Sequence, residues 1–172
     1  MHTRIRRRCA AFARITSLVV ILSSSLLVFG TRGFSVYGSC MEPNLKTGER
    51  VLASRIPYMF SGPGRGDVVI FKYPNDVRKN YVKRVVGLPG DTVQIEDGVL
   101  YVNQIALDEP YKLLAAHGDY GPVKVRDGFL FVLGDNRDHS NDSRYWGELP
   151  LSNVEAKALV RYWPPKRWNV LN

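Results

Sequence analysis

Cysteine and histidine are scarce in this chain of 172 residues, which holds two cysteines, Cys9 and Cys40, and three histidines, His2, His117 and His139. Two thiols cannot build a disulfide framework or a four-thiolate zinc site. The histidines show no metal-ligand spacing, so the sequence predicts neither a metal nor a cofactor. Internal repeats, low-complexity tracts and long stretches of helical periodicity are also missing. Acidic residues are absent from positions 1–33, which carry Arg4, Arg6, Arg7, Arg8, Arg14 and Arg32. The net charge of +8 on the whole chain, from 24 basic and 16 acidic residues, therefore leaves 18 basic and 16 acidic residues for the remainder. A body that close to neutral is a poor polyanion binder, and no nucleic-acid partner is expected. With 45% hydrophobic and 23% charged residues, the composition excludes a disordered or collagen-like chain and fits one ordinary domain.

What is present begins with an uncharged run, Ile15 to Gly30, reading ITSLVVILSSSLLVFG. It sits near the lower length limit for a membrane-spanning helix, and Arg14 and Arg32 can snorkel to the headgroups on either side. The basic cluster before it predicts a cytoplasmic N-terminus. The expected organisation is a cytoplasmic segment at 1–14, a transmembrane anchor at 15–31 and an extracytoplasmic domain at 34–172. A cleavable signal peptide is the alternative, but VFGTRGFS, following the run, has no clear small-x-small cleavage site.

Beyond residue 34 the pattern changes to short β-branched and aromatic segments. Strands are predicted at Arg50–Ile56, Asp67–Tyr73, Tyr81–Val86, Asp91–Ile95, Val99–Asn103, Gly128–Leu133 and Ala158–Trp163. Between them lie turn signals such as Gly62-Pro63-Gly64, Pro74-Asn75-Asp76 and Asp97-Gly98. The fold class is thus mostly β, as antiparallel sheets or a barrel-like arrangement. One short helix is expected at Ser152–Ala158, with Ser152 and Glu155 as a capping box. Residues 104–126 read as a loop excursion.

Three patches carry possible chemistry. Around Cys40, the stretch from Tyr37 to Leu45 offers a thiol and a hydroxyl in a turn set by Gly38 and Pro43, although an ordinary turn reads the same way. In the second patch, Lys83 lies within an apolar strand. Alternation puts Val82 and Arg84 on one face and Lys83 and Val85 on the other. Burial penalises the charged form of an amine, so a lysine there can serve as a neutral base; an edge-strand lysine in solvent is the plainer alternative. The third patch runs from Gly134 to Gly147 and is dense in Asp, Asn, Arg and Ser. It suits an ion-pair network with Ser140 or Ser143 reaching into a cleft, or a solvated loop.

In order, GDVVIFKYP, YVKRVVGLPGD and LGDNRDHSNDSRYWG resemble the type I signal peptidase family, serine–lysine enzymes that remove signal peptides from exported proteins. The resemblance runs from about Tyr37 to Trp163 and is similar to the compact members. In the family the nucleophile precedes the methionine of S-M-x-P; here Met41-Glu42-Pro43 puts Cys40 in the serine's place. Asn44 also departs from the usual threonine. The resemblance implies Lys83 as general base, Ser140 as the hydroxyl that orients it, and Asp142 with Arg144 as a supporting ion pair. Gly134 and Asn136 match residues that shape the surrounding loop. Gly38 falls where some members have an oxyanion-hole serine, leaving backbone N–H groups, including that of Cys40, for that task. The implied partners are preprotein signal peptides and the lipid bilayer. The implied location is the cytoplasmic membrane of a bacterium, single-pass, with the catalytic domain on the outer side. Tyr58-Met59-Phe60 resembles an apolar surface loop near the site. A silent homologue that binds signal peptides or assists a paralogue is the alternative that Cys40 leaves open.

Overall fold

The computed structural model describes residues 16–19, 30–111 and 118–171. The chain divides into two units, Met1–Arg32 and Gly33–Asn172. In the first, residues 16–19 are helical. Among the described residues no helix is long and apolar enough to cross a membrane. Most of the expected anchor, including 20–29, lies outside the described residues, as does the basic segment before it.

Gly33–Asn172 is built from antiparallel strands. One sheet follows the order β1 (Thr31–Ser35), β2 (Arg50–Ser54), β11 (Val154–Trp163), β3 (Val68–Tyr73), β4 (Asp76–Gly87), β9 (Phe129–Leu133) and β10 (Leu149–Pro150), with β12 (Asn169–Val170) paired to β11. The other follows β7 (Ile105–Ala106), β6 (Val99–Val102), β5 (Thr92–Glu96) and β8 (Tyr120–Lys124). The seven expected strands are all found, with shifted ends. β4 is the longest departure: it starts at Asp76, inside the expected turn, and pairs with β3 from Tyr73↔Asp76 to Val68↔Arg84.

Two expectations are corrected. Ser152–Ala158 is not a helix. Leu151–Asn153 form one 3-10 turn without a side-chain cap, and Val154 begins β11. Val154, Ala156 and Ala158 alternate into the core while β11 bonds to both β2 and β3, so sheet pairing overrides the local capping signal. Glu155 reaches Lys72 across the sheet at 3.6 Å instead of capping a helix. Residues 104–126 are not all loop, because they supply β7 and β8. Pro122 disguises β8, which tolerates it as the outer strand of its sheet.

Among the described residues three apolar clusters form the core. The one that matters for the site joins Val36, Met41, Leu45, Val51, Ile70 and Leu171, with Cys40 and Val82 packed against it. Met41 and Leu45 are fully buried. Each such side chain contributes about 1.5–3 kcal/mol, so the Cys40 turn is anchored to the core on both sides of Pro43.

Candidate active site

Two stretches of backbone face each other across a cleft of about 570 Å3: Phe34–Cys40 from one side and Lys79–Lys83 from the other, with His139 and Asn141 also lining it. β4 pairs with β9 only from Arg84 to Gly87, so its residues 79–83 carry strand pairing on the β3 side alone.

Cys40 and Lys83 meet at one atom. The Cys40 thiol lies 3.9 Å from the Val82 carbonyl oxygen, and Lys83 Nζ donates to that same oxygen at 3.2 Å. Lys83 is 2% exposed and, among the described residues, forms no ion pair. Its amine also lies 5.5 Å from the centre of the Tyr81 ring, on the strand face that alternation assigns to both. Ser39, next to Cys40, is exposed.

The turn around Cys40 has no regular structure, so its carbonyls need long-range donors. Asn136 supplies two: its side-chain amide donates to Ser39 O at 3.1 Å and its backbone N–H to Cys40 O at 3.0 Å. Thr47 Oγ1 donates to Gly38 O at 3.1 Å. Gly38 has φ +89°, a conformation that favours glycine. The N–H of Cys40 makes no hydrogen bond among the described residues.

Gly134 marks where the third patch touches this turn. A Cβ there would lie 2.2 Å from Ser140 Oγ and 2.5 Å from Cys40 O, so no other residue fits without displacing one of them. Ser140 is buried and its hydroxyl is without a hydrogen-bond partner among the described residues. Asp142, fully buried, accepts from Gly134 N at 3.1 Å and from Arg144 Nε at 2.9 Å. Burial pulls the Arg144 proton affinity down, but the hydrogen bond and charge of Asp142 more than offset it, so the net shift is upward. Ser143, the other serine singled out from the sequence, accepts from Val132 N at 3.0 Å and belongs to the scaffold. Of the aromatic pair beside it, Trp146 packs into the core and Tyr145 is exposed.

Sequence reasoning missed the buried pair that braces this region. Arg84 holds Asp135 through two bonds of 2.9 Å, and its guanidinium lies 3.9 Å from the Tyr111 ring centre. Asn44, the departure from threonine, donates to Asp135 Oδ2 at 2.8 Å and to Tyr111 O at 2.7 Å, linking the turn to this pair. Burial, then the charge of Glu109 and a hydrogen bond to it, pushes the Tyr111 phenol well above its ordinary range. The only sequence signal for the pair was an arginine in an apolar strand.

Tyr58-Met59-Phe60 is part of a short 3-10 turn at Ile56–Met59, with Met59 68% and Phe60 84% exposed. Tyr58 instead packs inward and donates to Asp67 at 3.0 Å.

Comparisons with known proteins bear on the family of the chain. The family model described as "Signal peptidase, peptidase S26" matches residues 9–163. The chain is 40% identical over 158 residues to the "Probable signal peptidase I-2" of Synechocystis sp., covering 88% of this chain and 72% of that one. It is 39% identical over 171 residues to the "Thylakoidal processing peptidase 1, chloroplastic" of Arabidopsis thaliana, covering 92% of this chain and 48% of that protein, about half its length. Among solved structures, a signal peptidase I from Enterococcus faecalis V583 superposes with a TM-score of 0.51 at 34% identity, over 56% of this chain and 97% of that one.

Proposed function

Because this chain belongs to the signal peptidase family, peptidase S26, we propose that it is a membrane-bound enzyme that cleaves signal peptides from exported preproteins through a Cys40–Lys83 dyad. The observation that carries the reading is the convergence of the Cys40 thiol and the Lys83 amine on the Val82 carbonyl, beside an open cleft. The partners are the preprotein and the bilayer. The N-terminus lies in the cytoplasm of a bacterium, with the catalytic domain on the outer side of a single span.

The reaction is acyl transfer. An extended signal-peptide segment enters between Phe34–Cys40 and Lys79–Lys83, adding main-chain hydrogen bonds to the open side of β4. Neutral Lys83 takes the thiol proton, and sulfur attacks the scissile carbonyl carbon. The free N–H of Cys40 supports the developing oxyanion; losing one such donor costs roughly 3–4 kcal/mol in comparable hydrolases. The Lys83 ammonium then protonates the departing amine and, neutral again, activates the water that hydrolyses the thioester. Small residues at the −1 and −3 positions suit this class of substrate. The family resemblance assigns the orienting of Lys83 to Ser140, whose buried hydroxyl has no partner among the described residues and is free to turn to the amine when substrate is bound. Asp142–Arg144 holds the Ser140 loop, and Asn136 and Gly134 fix that loop against the Cys40 turn. Met59 and Phe60 give an apolar tip suited to lipid.

Cys40 itself favours a second reading, a silent homologue that binds signal peptides without cutting them. A thiol is a strong nucleophile, but its longer bonds shift the reacting atom, and a misplacement of about 1 Å costs on the order of a hundredfold. Incubating the full chain in detergent with a preprotein separates the two. The dyad predicts cleavage by the parent chain and by Cys40→Ser, and none by Cys40→Ala or Lys83→Ala. A silent homologue predicts no cleavage by the parent chain.

A further inference from the structure

The turn that carries Cys40 is also held from a second side, by a part of the chain that the family model does not reach. Both β11 and the family match end at Trp163. Past that point Pro165–Arg167 make one 3-10 turn, and β12 folds back on β11 with Val160 opposite Val170 and Arg161 opposite Asn169. Leu171 N then donates to Leu159 O at 2.8 Å, and the Leu171 side chain joins the cluster of Met41 and Leu45.

Two guanidinium groups meet the main chain just after Cys40, Arg167 from this return and Arg161 from β11, the strand on which it folds back. Arg167 Nη2 donates to Pro43 O at 2.8 Å, and Arg161 Nη1 donates to Asn44 O. Glu49, 4% exposed, pairs with both: Oε1 is 2.7 Å from Arg167 Nε, and Oε2 is 3.6 Å from Arg161 Nη1. Glu49 is itself held by Lys46 N at 2.9 Å. One buried carboxylate therefore supplies the counter-charge for two cations that donate to carbonyls three and four residues past Cys40. On the other side of Cys40, Asn136 holds the carbonyls of Ser39 and Cys40. The turn is clamped at both ends: the third patch holds the Ser39–Cys40 end alone, and at Pro43–Asn44 the two guanidinium groups share the hold with Asp135, which accepts from the Asn44 side chain.

We propose that the C-terminal return, acting through Arg167 with Arg161 and Glu49, positions the Cys40 turn against Val82 and Lys83. This rests on the Cys40–Lys83 reading of the site. Arg167, Pro43 and Asn44 do not line the cleft, so Arg167 acts through the turn and not on the substrate. Releasing Pro43 O frees the turn to shift the thiol from its working distance while the substrate walls stay in place. The effect therefore falls on turnover and not on binding. A lysine at 167 keeps the charge but loses the guanidinium fork that reaches Glu49 and Pro43 together.

The test uses the full chain in detergent, with Cys9→Ser as the background, and the variants Arg167→Gln, Arg167→Lys and Lys166→Gln. Lys166 is the exposed neighbour and controls for loss of one positive charge. Arg167→Gln should lower kcat on a preprotein about tenfold, leave KM within about twofold, and change the rate of Cys40 alkylation by about threefold or more. Arg167→Lys should recover part of each effect, and Lys166→Gln should match the parent. Parental kcat and alkylation rate in Arg167→Gln overturn the proposal, as does a kcat loss that disappears when the assay is run further below the melting temperature. If the parent chain cleaves nothing, the dyad reading fails and the alkylation rate alone decides. A shift in Arg167→Gln but not Lys166→Gln then supports positioning, and equal rates overturn it.

Discussion

Lys83 and Arg84 are adjacent on β4, both cationic residues and both almost fully buried, at 2% and 3% exposure. Arg84 is matched by a carboxylate in two-point contact, with Gly66 O accepting from its Nη1 at 2.8 Å and an aromatic ring against its face. Lys83 has one carbonyl, no ion pair among the described residues, and a thiol on the other side of that carbonyl. A buried charge without a counter-charge is costly, and a scaffold gains nothing by keeping one. On the proposed dyad, the difference separates a residue that holds the sheet from one assigned to chemistry, on neighbouring positions of a single strand.

The largest expected effect comes from removing the amine. Lys83→Met should abolish preprotein cleavage, a loss of at least about 10²–10⁴-fold, while the melting temperature stays level or rises. Cleavage retained by Lys83→Met would erase the contrast with Arg84. Asp135→Ala should act in the opposite sense, on stability first. It leaves the Arg84 charge buried and unpaired, which costs about 3–5 kcal/mol and moves the calorimetric midpoint down by about 10 °C or more. A midpoint within a degree or two of the parent would make the pair ornamental. Gly134→Ala should cost about 1–3 kcal/mol by overpacking Ser140 and Cys40 O, and should lower kcat more than it lowers stability. Comparing kcat with the denaturation midpoint for that variant sharpens the division between scaffold and site.

The smallest effect is a pH dependence on the scaffold side. Burial, followed by the charge and hydrogen bond of Asp67, pushes the Tyr58 phenol well above its ordinary range. The folded chain keeps this proton where the unfolded chain loses it, above about pH 10, so stability falls as pH climbs past that value. Tyr58→Phe should make the decline of the melting temperature between about pH 9 and 11 shallower, with little change at neutral pH.

Local pattern revealed most of the strands and singled out Lys83 of the proposed site. Val69, Phe71, Val85 and Val132 are β-branched or aromatic and buried, and such runs read as strands on sight. Lys83 stood out because a lysine interrupts one of these runs. β8 did not stand out, because Tyr120-Gly121-Pro122 looks like a turn, and the first half of β4 did not, because it starts at Asp76 inside the Pro74-Asn75-Asp76 turn signal. Ser152 and Glu155 have capping-box spacing, but the two flanking strands claimed that backbone. Arg84–Asp135 lies 51 positions apart in sequence and Arg167–Pro43 lies 124 apart. No local period connects residues at such separations, so only the folded chain brings them together.

The central claim is that Cys40 is the nucleophile served by Lys83, and alkylation of Cys40 tests it most directly. With Cys9 changed to Ser, the full chain in detergent is treated with a thiol reagent. The labelled fraction of Cys40 is read by mass spectrometry and preprotein cleavage is measured on the same samples. Cleavage should fall in proportion to the labelled fraction and vanish at complete labelling. Full cleavage by completely alkylated protein would contradict the assignment.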